Sequence, residues 1–331
     1  APQFHARLVV ELMSTTTSMT PHAARLTTRA RPSSSRIASP SPSTPKTSAK
    51  TTMCALDKRR HRSRGTFAVS SASSSSGAIG DVAGNPYEQT SSAANERQAL
   101  FNDIAPVYDR LNDQLSLGLH RAWKRCAVKW CGATIGARAL DVCCGSGDVA
   151  IKLSDAVGAT GAVVGLDFAA NQLKYAGEKE ASRRVELGEY AESRMAPIEW
   201  IEGDALALPF EDDSFDCATI AYGLRNVSDI PLALRELRRV VCPGAKVAVL
   251  DFNNPTDATT ASVQGFVLDN IVVPFADLNG VAAEYRYLRP SIERFPRGQE
   301  QVDLARDAGF SQAEFYELQP GGLMGCLVAT K

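Results

Sequence analysis

The stretch ALDVCCGSGDVA, residues 139–150, constrains the chain more than any other. An apolar run stops at two glycines one residue apart and continues directly into helical spacing. The pattern Gly145-x-Gly147-x-x-Ala150 after a strand belongs to the first strand–loop–helix unit of a parallel sheet, and such a loop lets backbone approach a nucleotide-like ligand closely. The alternation then continues. ARALDVCC, GAVVGLDF, IEWIEGDA, FDCATIAYGL and AKVAVLDFNN read as strands. DVAIKLSDAV, AANQLKYAGEKEASRR, DIPLALRELRRVV, stopped by Cys242-Pro243-Gly244, and EQVDLARDAGF read as helices. Strands alternating with helices predict an α/β fold with a doubly wound, mostly parallel sheet. SQAEFYEL and LMGCLVAT, joined through Pro320-Gly321-Gly322, read as a closing hairpin. That brings the sheet to seven strands with an antiparallel C-terminal end.

Composition divides the chain. Residues 1–85 are rich in Ser, Thr, Ala, Arg and Pro, and the first 80 carry twelve basic residues against two acids, Glu11 and Asp57. No helical or strand period runs through them, so they bury too little apolar surface to offset chain entropy. A basic, acid-poor, hydroxyl-rich leader predicts a disordered organelle transit peptide and linker. Residues 86–331 then form one domain, with a helical cap over 95–132 and an apolar helical insertion over 256–290. Of 36 basic and 37 acidic residues in the chain, 24 and 35 lie after residue 80, a balance of −11. An acidic folded part argues against a nucleic-acid partner. The eight cysteines show no CxxC pair and no zinc spacing, so no metal site is predicted, and they read as reduced, mostly buried thiols. The longest apolar run, GFVLDNIVVPFADL, is broken by Asp269, Asn270, Pro274 and Asp277 and is too short to cross a membrane.

Two ligands suit the glycine loop. Asp167 follows Gly147 by 20 residues at the end of the next strand, where a carboxylate can take both ribose hydroxyls of NAD. Against NAD stands charge. Asp141 and Asp148 flank the glycines, and a diphosphate at the helix N-terminus beside two carboxylates is unfavourable in a partly dry site. S-adenosylmethionine has no phosphate; its ammonium and sulfonium suit an acidic loop. Asp204 ends the third strand, where its carboxylate or the Ala205 amide can meet an adenine edge. Three acids at successive strand ends line the crevice where such sheets bind ligands.

The segments FNDIAPVYDRLNDQLSLGLHRAWK, LDVCCGSGD, GDALALPFEDDSFD, AYGLRNVSD and YRYLRPSIERFP resemble the ubiquinone/menaquinone-biosynthesis C-methyltransferase family, a class I group dependent on S-adenosylmethionine. The resemblance covers about 96–331. CCGSGD and GGLMGCLVATK resemble its plant and algal plastid branch. That implies a class I methyltransferase sheet, S-adenosylmethionine as methyl donor, a chloroplast location, and methylation of a ring carbon of a prenylated naphthoquinol, demethylphylloquinol, late in phylloquinone biosynthesis. Donor contacts implied by motif are Gly145, Ser146 and Gly147 in the loop with Asp141 before it, Asp167 at the ribose, Asp204 and Ala205 at the adenine, and Ala221. Ala221 stands where bacterial relatives often have Ser, which leaves only backbone to serve there.

Such a reaction needs a carbon nucleophile. A quinone is electron-poor; the quinol is not, and its ring carbon is strongest when the neighbouring hydroxyl ionises, at a phenol-like pKa of about 10. The site must therefore stabilise a naphtholate or accept its proton. Arg225 and Asn226, after the fourth strand, are the expected catalytic residues, Arg225 at the oxyanion or a water and Asn226 at a quinol oxygen. The competing role for Arg225 is an ion pair with Asp229. Tyr108 in the cap bounds the ring pocket or relays a proton, or simply packs. His120, the only histidine after residue 80, reads as a surface or capping residue among Arg121, Lys124 and Arg125. In the insertion, Phe266, Val267, Leu268, Ile271, Val272, Val273 and Phe275 are expected to wall an isoprenoid tail, or to form a lid or a homo-oligomer interface. A lipid substrate implies peripheral membrane contact. A mitochondrial benzoquinol C-methyltransferase and an NAD-dependent oxidoreductase remain the rival readings.

Overall fold

A computed structural model describes residues 113–116, 118–278, 286–318 and 322–331. The N-terminal segment 1–85 and Tyr108 lie outside the described residues, as does the cap before residue 113.

The apolar runs become β1 (Arg138–Val142), β2 (Ala162–Asp167), β3 (Ile198–Glu202), β4 (Phe215–Ala221), β5 (Val241–Phe252), β6 (Gln312–Glu317) and β7 (Met324–Thr330). They form one sheet in the order β3-β2-β1-β4-β5-β7-β6. Only β7 is antiparallel to its neighbours; the other pairings are parallel. Order reverses at β1, whose two neighbours are β2 and β4. Crevices at the carboxyl ends of strands on either side of such a reversal are where ligands bind.

The central strands are apolar on both faces because helices cover both. Leu140 and Val142 share one core cluster with Leu234, Leu237, Val302 and Ala305. These last four lie on α4 (Ile230–Val240) and α8 (Gly298–Asp307). Ala139 joins the other cluster with Ala127, Leu153 and Val157, from α1 (Leu119–Trp130) and α2 (Asp148–Val157). The strand period of two therefore puts Asp141 on the face covered by α1 and α2. On that face α3 (Ala170–Leu187) approaches the loop, with Ala176 under Gly147.

Two details depart from the sequence reading. β5 begins at Val241, before Cys242-Pro243-Gly244, because α4 runs straight into it. Its pairing with β4 slips between Phe215 and Cys217, and Gly244, at φ +81°, donates its N–H to the Lys331 carbonyl at 3.0 Å. A bulge accommodates what looked like a stop. His120 is 5 % exposed rather than on the surface. Its Nε2 lies 2.6 Å from Asp113 Oδ1. Burial, more than the neighbouring cations, holds its pKa below the usual value; the Asp113 contact opposes this and Lys124 adds to it.

The described part of 256–290 holds α5 (Ala258–Val267), a π-turn over Leu268–Val272, α6 (Val273–Asp277) and the start of α7 (Leu288–Glu293). Pro274 has no N–H for the carbonyl of Asn270, and the helix passes this point through a wider turn. No helix among the described residues is long and apolar enough to cross a membrane.

Candidate methyl-donor site

A cavity of about 310 Å³ opens at the carboxyl ends of β1, β2, β3 and β4. Asp141, Gly145, Ser146, Asp167, Asp204, Ala205, Ala221 and Asn226 all line it. The topology thus brings together residues up to 85 positions apart in sequence.

The glycine loop has its shape for steric reasons. Gly147 has φ +79°, and a Cβ there would stand 2.6 Å from Trp200 and 2.9 Å from the Ala176 methyl. Trp200 on β3 packs beneath the loop and anchors its Nε1–H on Glu180 at 2.9 Å. Cys143 and Tyr222, at the ends of β1 and β4, carry φ +53° and +60° without being glycine. Both line the cavity, where such backbone strain is commonly found.

Each acid has its own setting. Asp141 is 1 % exposed; its Oδ1 accepts from the Thr219 hydroxyl at 2.7 Å, and its Oδ2 has no hydrogen-bond partner. Burial pushes its pKa up to about 7 against the opposing influence of Thr219 and the Ala150 amide. Asp167 accepts the Gly145 N–H at 2.8 Å on Oδ2 and the Ala169 N–H at 2.9 Å on Oδ1. It braces the loop while each oxygen keeps a further lone pair. Burial raises its pKa, and those amides oppose the rise. Asp204 is exposed and turns its Oδ1 to the Leu206 N–H at 2.9 Å.

Asp148 corrects the charge argument. It sits between Lys124, at 2.6 Å, and Lys179. Burial pushes its carboxyl upward, but the two lysines outweigh this and hold it well below the usual carboxylate range. Its charge is balanced locally, so the anionic character of the cavity comes from Asp141, Asp167 and Asp204.

Arg225 also differs from expectation. It is not part of the cavity wall. Its Nη1 donates to Asp251 Oδ1 and to the Tyr222 carbonyl, both at 2.6 Å. The ion-pair partner is Asp251, not Asp229, which instead caps α4 by accepting the Leu232 N–H at 2.9 Å. Asn226 does reach the cavity. Its Nδ2 donates to the Tyr222 carbonyl at 3.2 Å, and its buried Oδ1 has no partner. The insertion residues expected to wall a tail do not line the cavity; Leu268 is buried, Phe266 is 61 % exposed, and the others are half-buried.

Residues 89–331 match the ubiE/COQ5 methyltransferase family. The chain belongs to that family. Similarity to curated relatives spans about 72% of this ubiE/COQ5 methyltransferase. It is 52% identical over 237 residues to a 2-phytyl-1,4-naphtoquinone methyltransferase of Nostoc punctiforme, covering 72% of this chain and 99% of that one. It is 51% identical over 238 residues to the chloroplastic 2-phytyl-1,4-beta-naphthoquinone methyltransferase of Arabidopsis thaliana, covering 72% and 88%. Among solved structures, the [4+2]-cyclase SpnF shares the fold at a TM-score of 0.50 and 17% identity, covering 72% of this chain and 96% of that one. The sheet is of the class I methyltransferase type, and S-adenosylmethionine is the methyl donor.

The residues lining the cavity fit this donor. A buried carboxylate oxygen without a partner suits an ammonium, and an acid-lined cavity without phosphate-binding lysines at its nucleoside end suits a cationic, phosphate-free nucleoside. Sequence reasoning missed Lys124, Tyr222, Cys143 and Gln172 in the wall. Lys124 and Tyr222 lay inside quoted motifs, HRAWK and AYG, so position within a motif was their available signal.

Proposed function

We propose that this methyltransferase methylates a ring carbon of reduced 2-phytyl-1,4-naphthoquinone in the chloroplast. The observation that carries the reading is near-full-length identity of about one half to cyanobacterial and plant methyltransferases named for that quinone. The basic, hydroxyl-rich first 80 residues and the chloroplastic Arabidopsis relative support the location.

When bound, the donor supplies an electrophilic methyl group. The chain's residues do the rest. Asp141 Oδ2 receives the donor ammonium, Asp167 the ribose hydroxyls, and Asp204 with Ala205 the adenine edge. Gly145 and Ser146 bring backbone against the donor, Gly147, which is not part of the cavity wall, sets the turn that presents them, and Ala221 contributes backbone at the end of β4. Asn226 Oδ1 accepts a hydrogen bond from a quinol hydroxyl, which orients the ring and favours charge on the adjacent carbon. Arg225 acts through others, holding the Tyr222 carbonyl that also holds Asn226. Val263, Phe266 and Leu278, respectively 46, 61 and 86 % exposed, give the insertion apolar contact with the lipid phase that carries such a substrate.

Labelled methyl transfer tests the proposal. Reduced 2-phytyl-1,4-naphthoquinone accepts label, the oxidised quinone does not, and a benzoquinol is a poorer acceptor. Preference for the benzoquinol contradicts the substrate assignment.

A further inference from the structure

The cavity wall holds four carboxylates, Asp141, Asp148, Asp167 and Asp204, but among the described residues only one Lys or Arg, Lys124. Lys124 is 4 % exposed and reaches the wall from α1. A lysine so buried is unusual without a fixed task. Its Nζ donates to Asp148 Oδ2 at 2.6 Å and lies 5.8 Å from the Tyr222 ring centroid. An ammonium has three N–H groups. Among the described residues no further hydrogen bond takes the remaining two, so they are available to an anion in the cavity.

S-adenosylmethionine carries a single anionic group, the carboxylate of its amino-acid end. The nucleoside end is accounted for at β2 and β3, by Asp167, Asp204 and Ala205. The amino-acid end must then lie toward β1 and the glycine loop, where Asp141 Oδ2 lacks a partner. Lys124 and Asp141 both belong to the face covered by α1 and α2. Together they offer one cation and one anion to a zwitterion.

We infer that Lys124 binds the carboxylate of the methyl donor, with Asp148 and Lys179 fixing its ammonium in place. The inference rests on the reading of this cavity as the donor site. Asp148 is then a positioning residue: at the first turn of α2 it is held by Lys179 of α3 and in turn holds Lys124 of α1. Three helices thereby fix one ammonium, and the donor carboxylate ties the cap helix to the loop.

The test is calorimetric titration of the full chain with two probes. S-adenosylhomocysteine has the carboxylate; 5′-methylthioadenosine lacks the whole amino-acid end. Lys124→Met weakens S-adenosylhomocysteine about ten- to hundredfold, the scale of a lost charge-assisted hydrogen bond, and changes methylthioadenosine less than twofold. Lys124→Arg recovers part of the loss. Equal weakening of both probes, or of neither, overturns the assignment. A measurement on the unaltered protein keeps the test independent of folding: S-adenosylhomocysteine binds at least tenfold tighter than its decarboxylated analogue, and equal binding overturns the assignment. Asp167→Asn separates this from the wider reading. It weakens both probes if the cavity is the donor site; no effect on either overturns the site, and the Lys124 assignment with it.

Discussion

Arg225 and Asp251 form a buried ion pair across the carboxyl ends of β4 and β5, with Nη1 2.6 Å from Oδ1 and side chains 7 and 2 % exposed. Asp251 also accepts the Arg225 N–H at 3.3 Å and its neighbour Phe252's N–H at 2.8 Å. The pair fixes the turn that carries Tyr222 and Asn226 into the cavity. Removing one partner strands a buried charge, which costs about 3–5 kcal/mol. Arg225→Ala is therefore expected to lower the melting temperature by several degrees and methyl transfer with it. Thermal unfolding beside a transfer assay checks this. Wild-type stability with abolished transfer would instead place the guanidinium on the substrate.

As the proposed partner of the donor ammonium, Asp141 is expected to make donor affinity depend on pH. In the ligand-free protein its carboxyl takes up a proton as pH falls through about 7. A donor ammonium favours the carboxylate, so binding expels that proton. Affinity is expected to be level above about pH 7 and to weaken below it, approaching tenfold per pH unit. The folded-state value exceeds the ordinary 3.8, so this group weakens the ligand-free fold as pH rises from about 4 to about 7. Thr219, Ala150, Lys124 and Asp167 are the groups acting on it. Calorimetry across pH 5.5–8.5, about one and a half units either side of that value, reads the slope, and Asp141→Asn abolishes it. A pH-independent affinity in the unaltered protein contradicts this role.

Gly147→Ala tests the loop. A left-handed backbone costs a non-glycine residue about 1–2 kcal/mol, and the new methyl would meet the Trp200 ring and the Ala176 methyl. Overpacking adds about 1–3 kcal/mol. The variant is expected to melt earlier and to lose most donor affinity, measured by calorimetry; an unchanged affinity would show that the loop does not shape the donor site.

Much of the fold was legible in the sequence because doubly covered strands are apolar throughout and helices between them repeat every 3.6 residues. LDVCCGSGD, GLDF and EGDA each end a strand with an acid, so the crevice could be traced before any coordinates. What stayed hidden depends on contacts between distant residues. Asp148 looked like a free charge near the loop until α1 and α3 brought Lys124 and Lys179 to it. Arg225 looked available to substrate because its partner Asp251 lies 26 positions on, on a different strand. His120 looked exposed among cations because burial in the folded chain leaves no local mark in a sequence. Pro243 looked like a boundary because a bulge that absorbs it is set by the neighbouring strand.

The most direct test of the central claim, that an acid-lined cavity at the sheet edge holds a cationic methyl donor, is calorimetric titration of S-adenosylmethionine and NAD into the unaltered protein and its Asp167→Asn variant. S-adenosylmethionine binds the unaltered protein, Asp167→Asn weakens it at least tenfold, about 1.4 kcal/mol or more, and NAD gives no heat of binding. Capture of NAD, or donor binding indifferent to Asp167, would contradict the account.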